Sequence, residues 1–317
     1  MVMRRRRLLR SLALGACLVA DPWRPSEAIV PSPPVELIEP EMLVTLLASA
    51  ACQMSLLDVR DPAGGATWRG KLPGAVAAPY GAAGWRREVG GLPGMLPPPA
   101  ELEALLTRLG IGDAAMVAVY GSGTSAYDVA AVGRVAWTLA IAGVERPLVL
   151  VGGYRAWAAA GLASGGSREA SIRQTAVRLR WQRQLLARRA DVAAAVGQPG
   201  TVLLDLRTPR QHHGLEVAVG VASAGTLPGA RNLPYTRLVD PRGRLLVDGR
   251  QLVLLLRSLG IRPEDRLITF CNTGHWAALG WLLLHGMARH SAVALYDGSM
   301  AEWSRVPGAQ VVTGGAP

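Results

Sequence analysis

Residues 270–277 read Phe-Cys-Asn-Thr-Gly-His-Trp-Ala. Cys271 stands between the apolar run Leu267-Ile268-Thr269 and a second run from Ala278 to Leu284, so it occupies a short loop between a strand-like and a helix-like segment. The N–H groups of a helix's first turn have no intrahelical partner, and with the helix dipole they favour an anion. The same field favours thiolate over thiol, which makes a cysteine a nucleophile. Gly274 lets the backbone curl tightly, and Asn272 and Thr273 add small polar groups. The loop therefore suits a sulfur anion held in a ring of amides. On position alone a buried, inert cysteine fits as well, because free Cys is among the most buried residue types.

The elements that must position this loop appear twice. Leu56-Leu57-Asp58-Val59-Arg60 recurs as Leu203-Leu204-Asp205-Leu206-Arg207, and Leu72-Pro73-Gly74-Ala75 recurs as Leu227-Pro228-Gly229-Ala230. Leu109-Gly110-Ile111 recurs as Leu259-Gly260-Ile261, and Met116–Tyr120 as Arg266–Phe270. Gly152-Gly153-Tyr154-Arg155-Ala156-Trp157 recurs as Asp297–Trp303 with one residue inserted. The order is preserved, which reads as two tandem copies of one domain. Within each copy short apolar runs alternate with helical stretches, the pattern of an α/β fold with a mostly parallel sheet covered by helices on both faces. In the second copy strands are expected near 202–206, 266–270 and 292–296, and helices over 249–259 and 275–287. Cys271 then lies at the carboxyl edge of such a sheet, where ligands bind.

The second copy resembles a rhodanese domain, and the whole chain resembles a tandem-domain rhodanese, or sulfurtransferase. The matching residues are the Leu204-Asp205-Leu206-Arg207 strand end, Leu227–Asn232, the Phe270–Trp276 loop and the Tyr296-Asp297-Gly298-Ser299 to Trp303 ending. The resemblance implies that the Cys271 thiolate takes sulfur from a small anionic donor such as thiosulfate or 3-mercaptopyruvate, becomes a persulfide, and passes the sulfur to a thiophilic acceptor such as cyanide or a thiol. It implies a cradle of loop amides over Asn272, Thr273, Gly274, His275, Trp276 and Ala277, and no cofactor. It also implies a first domain without the nucleophile. Gly121 indeed stands where Cys271 stands in the second copy. The resulting organisation is an export signal at 1–28, a rhodanese-like domain lacking the catalytic cysteine at 37–162, a linker at 163–175 and a catalytic domain at 176–312.

Arg207, at the same sheet edge, is implied as a clamp for substrate oxygens, a task that suits a planar guanidinium. Its counterpart Arg60 sits in the copy without a thiol, so part of the motif's role must be structural. Arg210 is a second candidate cation, with a solvated surface arginine as the plain alternative. The loop Asn272–Trp276 matches neither the cation-bearing pattern of thiosulfate enzymes nor the Gly-Ser-Gly of mercaptopyruvate enzymes. His275 either adds a pH-dependent charge or fills space at the helix start, and Trp276 is expected between the domains. His212 and His213, adjacent and without a nearby cysteine, make a poor metal site.

A Cys-x5-Arg phosphatase needs an arginine beyond the loop, where the chain has Trp276, Ala277 and Ala278. A sulfur carrier, sensor or partner-binding module on the same scaffold is compatible with a preserved cysteine.

The whole chain sets the frame. With 317 residues, 50% hydrophobic and 18% charged, it is globular and long enough for two domains. Its net charge of +11 is almost entirely arginine, dispersed and without a nucleic-acid module, which argues for attraction of small anions over nucleic acid. Met1 to Ala20 combines a basic stretch with a short apolar one, the pattern of an export signal to the periplasm or beyond. Arg5–Arg10 resembles a twin-arginine pattern and Ser26-Glu27-Ala28 a cleavage site. Leu14–Cys17 resembles a lipoprotein box, which would make Cys17 a lipid anchor. No mature segment has the roughly 18 apolar residues of a membrane span. Cys52 precedes its strand and reads as a core cysteine.

Overall fold

The computed structural model describes residues 35–49, 54–61, 70–112, 116–145, 147–165 and 177–313. The expected export signal with Cys17, Cys52 and most of the expected linker lie outside the described residues. The first half runs β1 (Glu36–Ile38), α1 (Pro40–Ala48), β2 (Met54–Asp58), β3 (Val76–Ala77), β4 (Arg87–Val89), β5 (Leu92–Met95), α2 (Pro99–Arg108), β6 (Met116–Tyr120), α3 (Ala126–Ala142), β7 (Pro147–Leu150) and α4 (Gly153–Ala159). The second half runs β8 (Leu186–Ala187), α5 (Arg189–Ala195), β9 (Thr201–Asp205), α6 (Pro209–His212), β10 (Arg231–Asn232), α7 (Gly249–Ser258), β11 (Arg266–Phe270), α8 (His275–Gly286), β12 (Val293–Tyr296) and α9 (Ser299–Trp303).

Each half forms a five-stranded sheet whose neighbouring strands are all parallel, in the order β1-β7-β6-β2-β3 and β8-β12-β11-β9-β10. The two orders are the same arrangement, so the repeat read from sequence is a structural repeat. The central strands are buried on both faces, as near-continuous apolar runs require: Val117 to Tyr120 and Leu267 to Phe270 are all buried. In the ending motif, however, the Tyr154 and Met300 N–H groups donate to the equivalent carbonyls of Gly121 and Cys271, and the Trp157 and Trp303 indoles donate to the carbonyls of Ala163 and Gln310. Gly153 thus matches Ser299 directly, and no residue is inserted.

The halves meet through α3 and α8, which are equivalent helices. Both are apolar almost all round, and each is buried between its own sheet and the other helix. Gly133 makes the crossing close: a β-carbon there would lie 2.9 Å from the Ala278 carbonyl oxygen. Trp137 of α3 donates its indole N–H to the Leu185 carbonyl at 3.0 Å, tying the first half to the start of the second. Each half also reaches over the other. The antiparallel hairpin β4–β5, turning at Gly90-Gly91, gives the first half a short arm. Its Gly91 carbonyl accepts from Arg305 at 2.7 Å. In return, Gly243 of the second half packs against the Ser125 backbone.

Candidate active site

Cys271 follows β11 at the carboxyl edge of the second sheet and is 1% exposed. The backbone around it is clamped by the start of α9. The Ser299 hydroxyl accepts the N–H of Cys271 and the N–H of Gly274, both at 3.1 Å, and donates to the Tyr296 carbonyl at 2.8 Å. The carbonyls of Cys271 and Asn272 accept the N–H groups of Met300 and Ala301 at 3.1 and 2.9 Å. Ser299 does this at φ +50°, a left-handed conformation that non-glycine residues rarely adopt. The equivalent residue of the first half is Gly153, at φ +57°. A serine thus stands where glycine is easier, and its hydroxyl ties the Cys271 loop to the start of α9. Because the Gly274 N–H is committed to Ser299, it is not part of the expected cradle. The expected cradle is then limited to the N–H groups of Asn272 and Thr273 and of the first turn of α8.

The first half shows what such a loop holds. Tyr154 and Arg155 donate to the carbonyls of Gly121 and Ser122, as Met300 and Ala301 do to Cys271 and Asn272. Gly121 therefore matches Cys271, and Ser122 and Gly123 match Asn272 and Thr273. The N–H groups of Ser122 and Gly123 donate to the Asp128 carboxylate at 2.8 and 2.7 Å. Burial pushes this carboxyl above its ordinary value, against those same two N–H groups, which pull it down. A β-carbon on Gly121 would fall 2.5 Å from Asp128 Oδ1. In the second half the third helical residue is Ala277 in place of Asp128, and the residue matching Gly121 is Cys271.

The expected clamp at Arg207 is corrected. Its Nε and Nη2 donate to the two oxygens of Asp205 at 2.9 and 2.6 Å, and Nη2 also donates to the Gly225 carbonyl at 2.9 Å. The side chain is 2% exposed, so its fork is turned into its own domain. Burial pushes the Asp205 carboxyl up, but hydrogen bonds from His212 and Arg207 outweigh it and hold the carboxyl below its ordinary value. Arg60 pairs with Asp58 in the same way. Arg210 is exposed and lies 3.5 Å from Glu216, while its neighbour Gln211 accepts from the Asn272 side chain at 3.2 Å. Arg210 thus sits on the helix that borders the loop.

Trp276, expected between the domains, and His275, expected to add charge or fill space at the helix start, take different partners. Trp276 stacks on Tyr235 of its own half, with ring centroids 3.7 Å apart and planes 6° from parallel. His275 reaches across the interface instead: its Nδ1 is 3.0 Å from the Tyr80 hydroxyl and its ring stacks on Tyr127 at 4.2 Å. Burial, with the cations of Arg86 and Arg134, pushes the imidazole down to about 3. His275 is therefore neutral at physiological pH and adds no switchable charge. Among the described residues no group of three or more His, Cys, Asp or Glu side chains could hold a metal.

Fold and site together define a class: a duplicated parallel α/β domain in which one copy keeps a thiol at a helix N-terminus and the other fills that place with its own carboxylate. Residues 189–306 match the rhodanese-like domain family. The chain is 30% identical to a thiosulfate sulfurtransferase of Pseudomonas aeruginosa, over 86% of this chain and 94% of that protein. It is 33% identical to a probable 3-mercaptopyruvate sulfurtransferase of the same organism, over 69% of this chain and 75% of that one. The Tum1 protein of Saccharomyces cerevisiae has the same fold, with a TM-score of 0.74 at 19% identity, over 89% of this chain and 99% of that one. This chain belongs to the rhodanese family.

Proposed function

We propose that this protein is a sulfurtransferase that moves sulfane sulfur from thiosulfate or 3-mercaptopyruvate to a thiophilic acceptor through a persulfide on Cys271. Sulfurtransferase activity is supported by the names of its relatives. The persulfide step is supported by the twin loop, whose Ser122 and Gly123 N–H groups already hold a carboxyl group on the same backbone.

With thiosulfate as donor, the Cys271 thiolate attacks the outer sulfur. A Cys271 S–S bond forms, the donor's S–S bond breaks, and its electron pair leaves with sulfite. The persulfide anion then lies against the amides of Asn272, Thr273 and the α8 N-terminus, which stabilise its charge. Cyanide attacks the terminal sulfur, the Cys271 S–S bond breaks, and thiocyanate leaves with the thiolate restored. The cycle is ping-pong, needs no redox partner and leaves the enzyme unchanged. Because Arg207 is buried in an ion pair and His275 is neutral, the donor's charge is met by backbone amides and the helix dipole, with Arg210 as the cation at the border. The pattern of residues 1–28 supports work outside the cytosol.

The test is steady-state release of thiocyanate from each donor with cyanide as acceptor. Turnover abolished in Cys271→Ser supports the enzyme. Sulfur loading without turnover, for any small acceptor, favours a carrier instead.

A further inference from the structure

We infer that Arg134, on α3 of the half without the nucleophile, is a positioning residue for Cys271, acting through Asp297 and Ser299. This deepens the persulfide reading and rests on it.

Arg134 is fully buried in a stretch of α3 whose residues from Ala130 to Ala142 are all buried. A guanidinium is expensive to bury without a charge partner, and an apolar residue would suit the helix better on its own. The fork points out of its own half. Nη1 lies 2.6 Å from Asp297 Oδ1 in the second half, and both side chains are closed to solvent. Nη2 donates to the Gly94 carbonyl of the β4–β5 arm at 3.1 Å. One step further along the arm, the Leu96 N–H donates to Asp297 Oδ2 at 2.5 Å. Asp297 is thus gripped from two elements of the first half.

Asp297 stands two residues before Ser299, and the turn between them must deliver Ser299 at φ +50°. That conformation places the hydroxyl on the N–H groups of Cys271 and Gly274. Arg134 also reaches the loop directly from below. A β-carbon on Gly274 would lie 2.5 Å from Arg134 Nη1 and 3.1 Å from both Asp297 O and Oδ1. The N-cap of α8, at φ +77°, rests on the ion pair. The charged and titratable groups around this corner include Arg134, Arg86, Asp297, His275, Tyr80, Tyr127 and Glu302. The half without a nucleophile therefore sets the geometry of the half that has one.

The variants are Arg134→Met, Arg134→Lys and the double variant Arg134→Met with Asp297→Asn, which leaves no buried charge unpaired. Two rates are read on folded full-length protein. One is alkylation of Cys271 by iodoacetamide, followed on the Cys271 peptide; the other is single-turnover sulfur loading from thiosulfate. Arg134→Met and the double variant are expected to slow both by roughly 10- to 100-fold, the scale of a small misplacement at a reacting centre, with KM for thiosulfate unchanged. Arg134→Lys is expected to recover most of the rate, because an ammonium can still pair with Asp297. Wild-type rates in the folded double variant, or a raised KM with unchanged kcat, would overturn the inference. The persulfide reading fails separately: wild type whose Cys271 alkylation depends on Arg134 but which gains no sulfur would sink that reading and leave the positioning role standing.

Discussion

Asp128 Oδ1 lies 2.5 Å from where a β-carbon on Gly121 would be, so the carboxylate of one residue fills the place that the side chain of the other vacates. This makes the first half a self-filled version of the catalytic loop. Asp128→Ala leaves the N–H groups of Ser122 and Gly123 without their acceptor. It should cost about 1–3 kcal/mol of stability, the usual penalty for orphaned buried donors. Urea unfolding checks this, and an unchanged midpoint would mean the carboxylate is dispensable.

Ser299 offers a separation of strain from chemistry. Ser299→Gly relieves the left-handed backbone but removes the hydroxyl, whereas Ser299→Ala keeps the strain and removes it too. Ser299→Gly should therefore be the more thermostable of the two, and both should load sulfur roughly 10- to 100-fold more slowly than wild type. Thermal unfolding and single-turnover loading read the two effects independently. Loading at the wild-type rate in Ser299→Gly would show that the hydroxyl's two N–H contacts are not needed.

Arg207 should matter to folding and not to donor affinity. Arg207→Met leaves Asp205 charged and buried with His212 and Thr226 as its remaining side-chain partners. Losing one partner of a buried pair costs about 3–5 kcal/mol. The folded fraction should keep its KM for thiosulfate. A KM raised with stability intact would restore the substrate-clamp role.

Acid should weaken the fold before it reaches the usual carboxylate range. Burial pushes His275 down to about 3 and His285 down to about 4, whereas an unfolded chain's histidines titrate near 6.5. Between those values and about 6.5 the unfolded chain binds protons that the folded one does not. Stability thus rises with pH across that window and is fully present above it. Each histidine contributes a slope of up to about 1.4 kcal/mol per pH unit. Unfolding midpoints at about pH 7 and about pH 5 should differ, and His285→Phe should narrow the difference. A flat profile would mean that these rings are solvated.

Much of this architecture is legible in the sequence. The five-residue runs ending at Asp58, Tyr120, Asp205 and Phe270 are short, apolar and duplicated, and they are the paired central strands. The position of Cys271 follows from the strand before it and the helix after it. What escapes is whatever depends on direction or on distant partners. Arg207 sits at the expected edge, but only the fold shows its fork turned to Asp205. Arg134 and Asp297 are far apart in sequence, and the signal for the first was a lone arginine in an otherwise apolar helical stretch. Gly90-Gly91 is a two-residue hairpin cue. The alternation of strands and helices does not use it, and so misses the arm that carries Gly94 and Leu96. Trp276 and His275 are adjacent, so composition could not say which would face the other half.

The most direct test of the account is intact mass after incubation with thiosulfate, then with cyanide, beside Cys271→Ser. Wild type should gain one sulfur that cyanide removes and that the variant never acquires. No added sulfur from thiosulfate or from 3-mercaptopyruvate, with the protein folded and Cys271 reduced, would contradict it.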